Sequence, residues 1–410
     1  MRIVEINTVR NGSTGNIMLQ IAHRARKHGE TVYTFSKSWN RNVEQDGHKY
    51  FGSYWGNWMH CVLGRLTGMN GLFSFLGTPW LLHKITQLNP DIIHLHNIHD
   101  FCLNFPMLFR YLKRKKIQVV WTLHDCWAFT GHCAHYEMAK CEKWKNGCYK
   151  CPLYRFYPKS FVDNSKWMYA AKKKWITRIG KLTFVVPSRW LADQLKQSYL
   201  QHYPVEVINN GIDLSIFKPE VSEFREKYQC TGKFLILGVA LEWCYIKGID
   251  VFIRLSQQLD ERYQIILVGT DERIDRLLDR RIISIHRTES KQELARIYSA
   301  VDVFLNPTRG DTFPTVNIEA LACGTPVITS STGGSPEIID PTCGIVVNCD
   351  DIEEIIHAIY DIKNKTMHQS CCNRAKQFKQ EDKYDEYVEL YRSITRNFVS
   401  SQSATFRESI

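Results

Sequence analysis

Short apolar runs alternate with longer stretches whose apolar side chains recur at helical spacing, and the alternation continues along almost the whole chain. In the first half, strand patterns fall at Arg2–Asn7, Asp91–His94, Gln118–Leu123 and Thr183–Pro187, with helical patterns such as Asn16–His28 and Met107–Lys115 between them. In the second half, strands are expected at Phe234–Ala240, Gln264–Gly269, Ile282–His286, Val303–Asn306, Pro326–Thr329 and Gly344–Val347. Helices are expected there at Ile249–Leu259, Lys291–Ser299, Thr315–Cys323 and Ile352–Asn364. Strand and helix in succession predict parallel sheets covered by helices, an α/β architecture. At 410 residues the chain exceeds what one hydrophobic core supports, so two domains are expected. The boundary is placed in Pro204–Pro219, where one strand–helix series ends and Asn210-Gly211 signals a turn; a plain hairpin or linker would give the same signal. From residue 399 to 410 the polar pattern predicts a disordered tail.

Charge changes this picture only a little. Lys and Arg number 53 against 42 Asp and Glu, a formal charge of +11, which suits an anionic ligand, nucleic acid or an acidic membrane surface without choosing among them. The opening Met1-Arg2-Ile3-Val4-Glu5-Ile6-Asn7 reads as a strand and not as a secretion signal. The most apolar stretch, Cys61 to Leu82, is broken by Arg65, several Gly and Pro79, so no membrane span is expected. A cytoplasmic location follows as the expectation, with the 14 Cys mostly reduced. Trp55, Trp58, Phe73, Phe75 and Trp80 cluster in sequence; core packing is expected for at least half of them, and contact with a membrane surface is the alternative.

Several motifs carry candidate chemistry. Gly12-Ser13-Thr14-Gly15-Asn16 follows the first strand and opens a helix, where backbone N–H groups can approach a diphosphate; an ordinary tight turn has the same composition. His94-Leu95-His96-Asn97 and Leu123-His124-Asp125 end two strands, the position at which open parallel sheets bind ligands, although any single His there can be structural. Lys247-Gly248 lies in a strand-to-helix loop, where an ammonium can neutralise phosphate or be merely solvated. Asp311 to Ile328 places an acid before a helix, offers the N–H groups of Thr315 and Val316 at its start, and carries Glu319 on its second turn. A carboxylate there can accept from two ribose hydroxyls, or lie on an amphipathic surface.

Taken in order and spacing, these residues resemble the retaining nucleotide-sugar glycosyltransferases of family 4, which have the GT-B fold. The resemblance covers residues 1 to 395. It rests on Gly12 to Asn16, Pro90 to His96, Val186-Pro187-Ser188, Val207 to Asp213 with Phe217 and Pro219, Lys247-Gly248, Asp311 to Val327 and Gly333 to Glu337. Trp121 to Trp127 with Gly131-His132-Cys133 further resembles the branch that contains capsule, O-antigen and colanic-acid glycosyltransferases. It implies two Rossmann-like domains facing across a cleft: 1–205, with 380–398 packing back on it, and 206–379, which binds the donor. It also implies that Glu319 holds the donor ribose, Lys247 the diphosphate, Gly12 and Gly15 the phosphates, and His124 the donor sugar near the reacting carbon. Asp311 matches the first of the family's two acids spaced eight apart, with Asn210 and Arg287 completing the donor-binding set. Two departures stand out. Asp311 replaces the usual Glu, and Ala240 occupies a position where many members carry an Arg beside the diphosphate, so that Arg309 or Arg273 would have to substitute for it.

The implied reaction moves a hexose or related sugar from a nucleoside diphosphate to a growing, lipid-linked surface glycan. The anomeric configuration is retained, and a phosphate oxygen takes the acceptor proton. With Lys247 and helix N-termini stabilising the leaving group, no divalent cofactor is expected, and no nucleic-acid partner. The rival readings are a non-catalytic nucleotide-sugar-binding subunit and a sugar-nucleotide epimerase of related fold. Separately, Cys133, Cys141, Cys148 and Cys151 fall within 19 residues of a polar stretch and end in a Cys-x2-Cys knuckle. A structural zinc site is the candidate, with two disulfides or free thiols as alternatives.

Overall fold

The computed structural model describes residues 1–38 and 47–407, with side chains through residue 396. The strands β1 (Arg2–Ile6), β2 (Thr31–Lys37), β3 (His48–Phe51), β4 (Ile92–Leu95), β5 (Gln118–Thr122), β6 (Leu182–Val186) and β7 (Val205–Val207) build one sheet in the order β3-β2-β1-β4-β5-β6-β7. The strands β8 (Phe234–Val239), β9 (Tyr263–Val268), β10 (Ile283–Ile285), β11 (Val303–Asn306), β12 (Val327–Ser330) and β13 (Gly344–Val347) build a second, in the order β10-β9-β8-β11-β12-β13. All pairings in both are parallel. The chain divides into one unit of Met1–Ile208 with Lys383–Ile410, and another of Asn209–Asp382.

Every second-half strand pattern corresponds to a strand of the structure. β2, β3 and β7 were not expected. β2 is interrupted by Thr34, Ser36 and Lys37, yet these polar side chains are buried, because Thr34 bonds His48 and Lys37 bonds Asp100. β7 occupies the stretch expected to be a boundary turn and pairs with β6, so the unit boundary follows it, at Ile208.

In the first unit the sheet is buried on both faces. One face packs Ile3, Ile92, Val120 and Val185 against the helix Ser13–Lys27 and against Tyr384, Tyr387, Val388 and Tyr391 of the C-terminal helix. That helix runs from Gln380 to Arg407, so the expected disordered tail is helical as far as Arg407; no Gly or Pro follows Gln380 to stop it. Arg24 and Asp385 pair at 2.5 Å, and Arg392 and Glu30 at 3.2 Å. Tyr391 OH lies 2.6 Å from His94 Nδ1.

The aromatic cluster departs from expectation. Trp55 is 73% exposed, and Trp58, Phe75 and Trp80 are exposed as well, on the helices Tyr54–Thr67 and Gly77–Leu88 and the turn between them. Ser53 caps the first of these helices by accepting from Gly56 N, and the inward positions are taken by the smaller Asn57, His60 and Gly64. Among the described residues no helix is long and apolar enough to cross a membrane.

Tyr391 fills the core beneath β4 and satisfies a buried imidazole. Tyr391→Ala should therefore destabilise the first unit by roughly 3–5 kcal/mol, and Tyr391→Phe, which removes only the hydroxyl, by about 1–3 kcal/mol. Urea unfolding followed by tryptophan fluorescence measures both.

Candidate active site

Each sheet has one place where the strand order reverses, β1/β4 in the first and β8/β11 in the second. Ligands of doubly wound sheets bind beyond the carboxyl ends of the strands at such points. The motifs singled out in the sequence follow these four strands and β5.

In the first unit, β1 leads to the turn that opens the helix Ser13–Lys27. Gly12 adopts φ 88°, and a Cβ on Gly15 would stand 2.2 Å from the carbonyl oxygen of Arg10. Gly15 is thus required by the turn's own backbone. Asn7 braces the same turn, donating to Val9 O at 2.8 Å and accepting from Asn97 N at 3.1 Å. His94 is structural: it is buried, with Tyr391 on one nitrogen and Thr122 Oγ1 on the other at 2.7 Å. His96, also buried, meets His124 with Nδ1 3.2 Å from His124 Nε2. His124 itself is half-buried at the end of β5. Burial, with His96 beside it, pushes the His124 imidazole down to about 3, so the ring is neutral at physiological pH. Burial alone pushes His96 down to about 3. The neighbouring Asp125 accepts from His99 at 2.8 Å and from Trp127 N at 2.9 Å; burial opposes its charge, but His99 holds the carboxyl down at about 2.

In the second unit, Lys247 and Asp311 form an ion pair at 2.8 Å. Burial works against the ammonium, yet the Asp311 carboxylate outweighs it and raises the Lys247 pKa. Two glycines allow this approach: Gly248 takes φ 75° against Pro307, and a Cβ on Gly333 would stand 1.8 Å from Asp311 O. Four residues beyond Asp311 the helix Thr315–Ala322 begins, with Pro314 at its N-cap and no side-chain cap. Thr315 and Val316 are half-exposed at this start. Asn317 anchors the turn from beneath, bonding Asn306 at 2.7 Å and Thr329 at 3.0 Å. Glu319 is half-buried; burial raises its carboxyl to about 7, against Tyr298 OH at 3.3 Å and Lys291. Asn210 is buried and donates to Phe313 O at 3.3 Å, which makes it a brace for the Asp311 loop. Arg287 is exposed after the edge strand β10, away from the reversal point in strand order.

Comparison with known proteins identifies the family. The profile of the family described as Glycosyltransferase Family 4 matches residues 14–216, and that of Glycosyl transferases group 1 matches residues 232–364. A colanic acid biosynthesis glycosyl transferase of Escherichia coli K12, WcaC, is 24% identical over 96% of this chain and all of its own length. The chain belongs to the family 4 glycosyltransferases. A GDP-mannose-dependent mannosyltransferase of Corynebacterium glutamicum is 25% identical over 48% of this chain and 57% of its own. Among solved structures, Thermosynechococcus elongatus sucrose-phosphate synthase shares the fold with a TM-score of 0.71 at 17% identity, covering 97% of this chain and 99% of its own. Anabaena HepE, solved with UDP and glucose, does so with a TM-score of 0.67 at 16% identity, covering 96% of this chain and all of its own. The two Rossmann-like units are those of a GT-B enzyme.

This glycosyltransferase does not replace the missing Arg in the way expected. Arg309 is buried and committed to Asp250 and Asp350, each at 2.8 Å, to Tyr245 O at 2.8 Å and to the Tyr245 ring. It is a brace that ties the Lys247 turn to the loop before Asp311, a role its sequence neighbourhood did not signal. Arg273 is exposed and pairs with Asp271 on its own turn at 2.7 Å. Lys247 stands on the turn after β8, at the reversal of the second sheet.

The four cysteines are free thiols in this structure, one of the three states the sequence allows. The thiols of Cys133 and Cys151 are neighbours, and their interaction drives the Cys133 thiol up and the Cys151 thiol down. Cys148 Sγ instead accepts from Gly131 N at 3.1 Å. Among the described residues the one group of three or more metal-ligating side chains whose donor atoms all lie within 4.8 Å of one another is Glu5, His94 and His96, and the four sulfurs do not form such a group. The arrangement is one thiol pair with two satellites. Metal analysis of protein purified under reducing conditions should find zinc far below one per chain, and mild oxidation followed by peptide mapping should link Cys133 to Cys151. Stoichiometric zinc lost in Cys148→Ser would contradict this.

Proposed function

We propose that this glycosyltransferase moves a hexose or related sugar from a nucleoside diphosphate onto a surface-polysaccharide acceptor, with retention at the anomeric carbon. The observation that carries the reading is the set at the reversal of the second sheet. A charged Lys247 is held by Asp311, and close in sequence follow a helix start without a side-chain cap and the half-buried Glu319. An ammonium and free helical N–H groups suit a diphosphate, and a carboxylate suits the vicinal hydroxyls of a ribose. The HepE structures with UDP and UDP-glucose support a nucleotide-sugar donor, and the name of WcaC supports a surface-glycan product.

As the sugar–phosphate bond lengthens, negative charge gathers on the diphosphate, and the groups already aimed there stabilise it more in the transition state than in the ground state. Donor binding would draw Lys247 from Asp311 toward phosphate and leave Asp311 to accept from sugar hydroxyls. The shorter Asp thus serves as a placeholder for the phosphate in the empty enzyme. His124, neutral at the end of β5, would hydrogen-bond the donor sugar. The exposed Trp55, Trp58, Phe75 and Trp80 suit peripheral contact with the inner face of a membrane carrying a lipid-linked acceptor.

Two substitutions test the assignment. Glu319→Gln should weaken donor binding by about 1–3 kcal/mol in calorimetry, the loss of a charged hydrogen bond. Because burial raises the Glu319 carboxyl, its charge lowers the stability of the empty fold as pH climbs through about 7, and Gln should leave the melting temperature there unchanged or slightly higher. Unchanged donor affinity would overturn the ribose role. Lys247→Ala should lower kcat more than it raises KM at saturating donor, with wild-type turnover preserved in EDTA. A wild type silenced by EDTA and restored by magnesium or manganese would overturn leaving-group stabilisation by Lys247.

A further inference from the structure

Three ionisable side chains lie wholly buried beneath the carboxyl end of the first sheet: Glu5 on β1, and His94 and His96 on β4 and just beyond it. A charged or polar group at such depth is costly unless it is paired, and each unpaired atom calls for an explanation. His94 is accounted for, since Tyr391 and Thr122 take both of its nitrogens. Glu5 Oε1 accepts from Tyr391 OH at 3.3 Å. Two atoms remain without a hydrogen-bond partner, Glu5 Oε2 and His96 Nε2, and they face each other at 3.6 Å. The other nitrogen of His96 is the one that meets His124. Glu5, His96 and His124 therefore form a line that begins in the core and ends at the half-exposed imidazole assigned to the donor sugar.

A metal ion is a poorer occupant of this cluster, although the donor atoms of Glu5, His94 and His96 lie within 4.8 Å of one another. To be bound by His94 it would have to displace Tyr391 or Thr122 from one imidazole nitrogen, breaking a buried hydrogen bond already made within the fold. A shared proton satisfies both orphaned atoms and displaces nothing.

We propose that Glu5 is a positioning residue which sets, through His96, the nitrogen of His124 that carries the proton. The inference rests on the reading of His124 as a donor-sugar contact. With Glu5 protonated, its O–H donates to His96 Nε2, His96 Nδ1–H donates to His124 Nε2, and His124 holds its own proton on Nδ1. With Glu5 ionised, its proton has passed to His96 Nε2, the Nδ1 proton of His96 has passed to His124 Nε2, and one proton has left His124 Nδ1 for solvent. The line thus loses a single proton, at its exposed end, and His124 changes from an Nδ1 donor to an Nδ1 acceptor. Burial raises the Glu5 carboxyl to about 8, opposed by Arg26 and Tyr391, so the donor form prevails at neutral pH and is lost above it. The titratable groups facing the line are Arg26, His94, Tyr387 and Tyr391 at the Glu5 end, and Asp125 and His99 at the His124 end.

Glu5→Gln separates these states, because its amide can donate to His96 Nε2 but cannot ionise. In the wild type kcat should fall as pH rises through about 8; in Glu5→Gln that alkaline fall should vanish. Glu5→Leu should lower kcat by about tenfold or more at every pH, with donor affinity nearly unchanged. Nitrogen-15 imidazole shifts of His124 in the wild type supply a readout independent of turnover and of Glu5 variants that fail to fold. They should report an Nδ1-protonated ring at neutral pH and an Nε2-protonated ring at the alkaline end. A tautomer that does not change with pH, or an alkaline fall that persists in Glu5→Gln, overturns the proposal. If His124→Ala leaves transfer intact, the reading of His124 fails, while the tautomer measurement still decides the role of Glu5.

Discussion

A parallel strand covered by helices on both faces has no solvent side. In the first unit β4 is buried throughout and β1 from Ile3 onward, and in the second unit β9, β11 and β12 are buried throughout. Such strands admit polar side chains only where these find partners within the fold, and chemistry is driven to the carboxyl ends. The positions that bear function follow from this constraint. His124, Asp125, Lys247 and Asp311 each stand a few residues past a strand, and at Lys247 and Asp311 the turns are tightened by glycines that press against backbone.

The second unit shows how such turns are held in register. Arg309 reaches from the turn after β11 to the carbonyl and ring of Tyr245, two residues before Lys247, while also gripping Asp250 and Asp350. Asn317 sews the helix start to β11 and β12, and Gly333 brings a further loop onto Asp311. The Lys247–Asp311 pair is a local result of this bracing. Both side chains are part-exposed, and a pair of this kind is weak enough to be exchanged for another partner.

Much of this could be read from the chain before the fold was seen, because strong β-branched runs and their spacing report buried parallel strands directly. All six strands of the second sheet are short, largely apolar runs. What could not be read depended on partners distant in sequence. Lys37 in β2 looks like a solvated residue until Asp100 is placed beside it. Arg309 looks like a phosphate ligand until Asp250 and Asp350 claim it. The exposed tryptophans look like core, since apolar character alone does not say which face of a helix is covered. The cysteine knuckle looks like a metal site because spacing along the chain says nothing of how four sulfurs converge. Glu5 gave no signal as a functional residue: one acid within a strand of Ile and Val is meaningful only once His96 and Tyr391 are known to surround it.

The C-terminal helix belongs to the unit made by the N-terminal half of the chain, with the whole second unit encoded between the two. Protein synthesis is vectorial, so β1 through β7 leave the ribosome long before Tyr384, Tyr387, Val388 and Tyr391 that cover one of their faces. Until those last residues emerge, His94 and Glu5 lie under an open seam, while the uninterrupted second unit already has everything it needs to close. The half translated first is therefore the half completed last, and a nascent chain stalled near its end carries an exposed apolar sheet face that a holding chaperone would recognise.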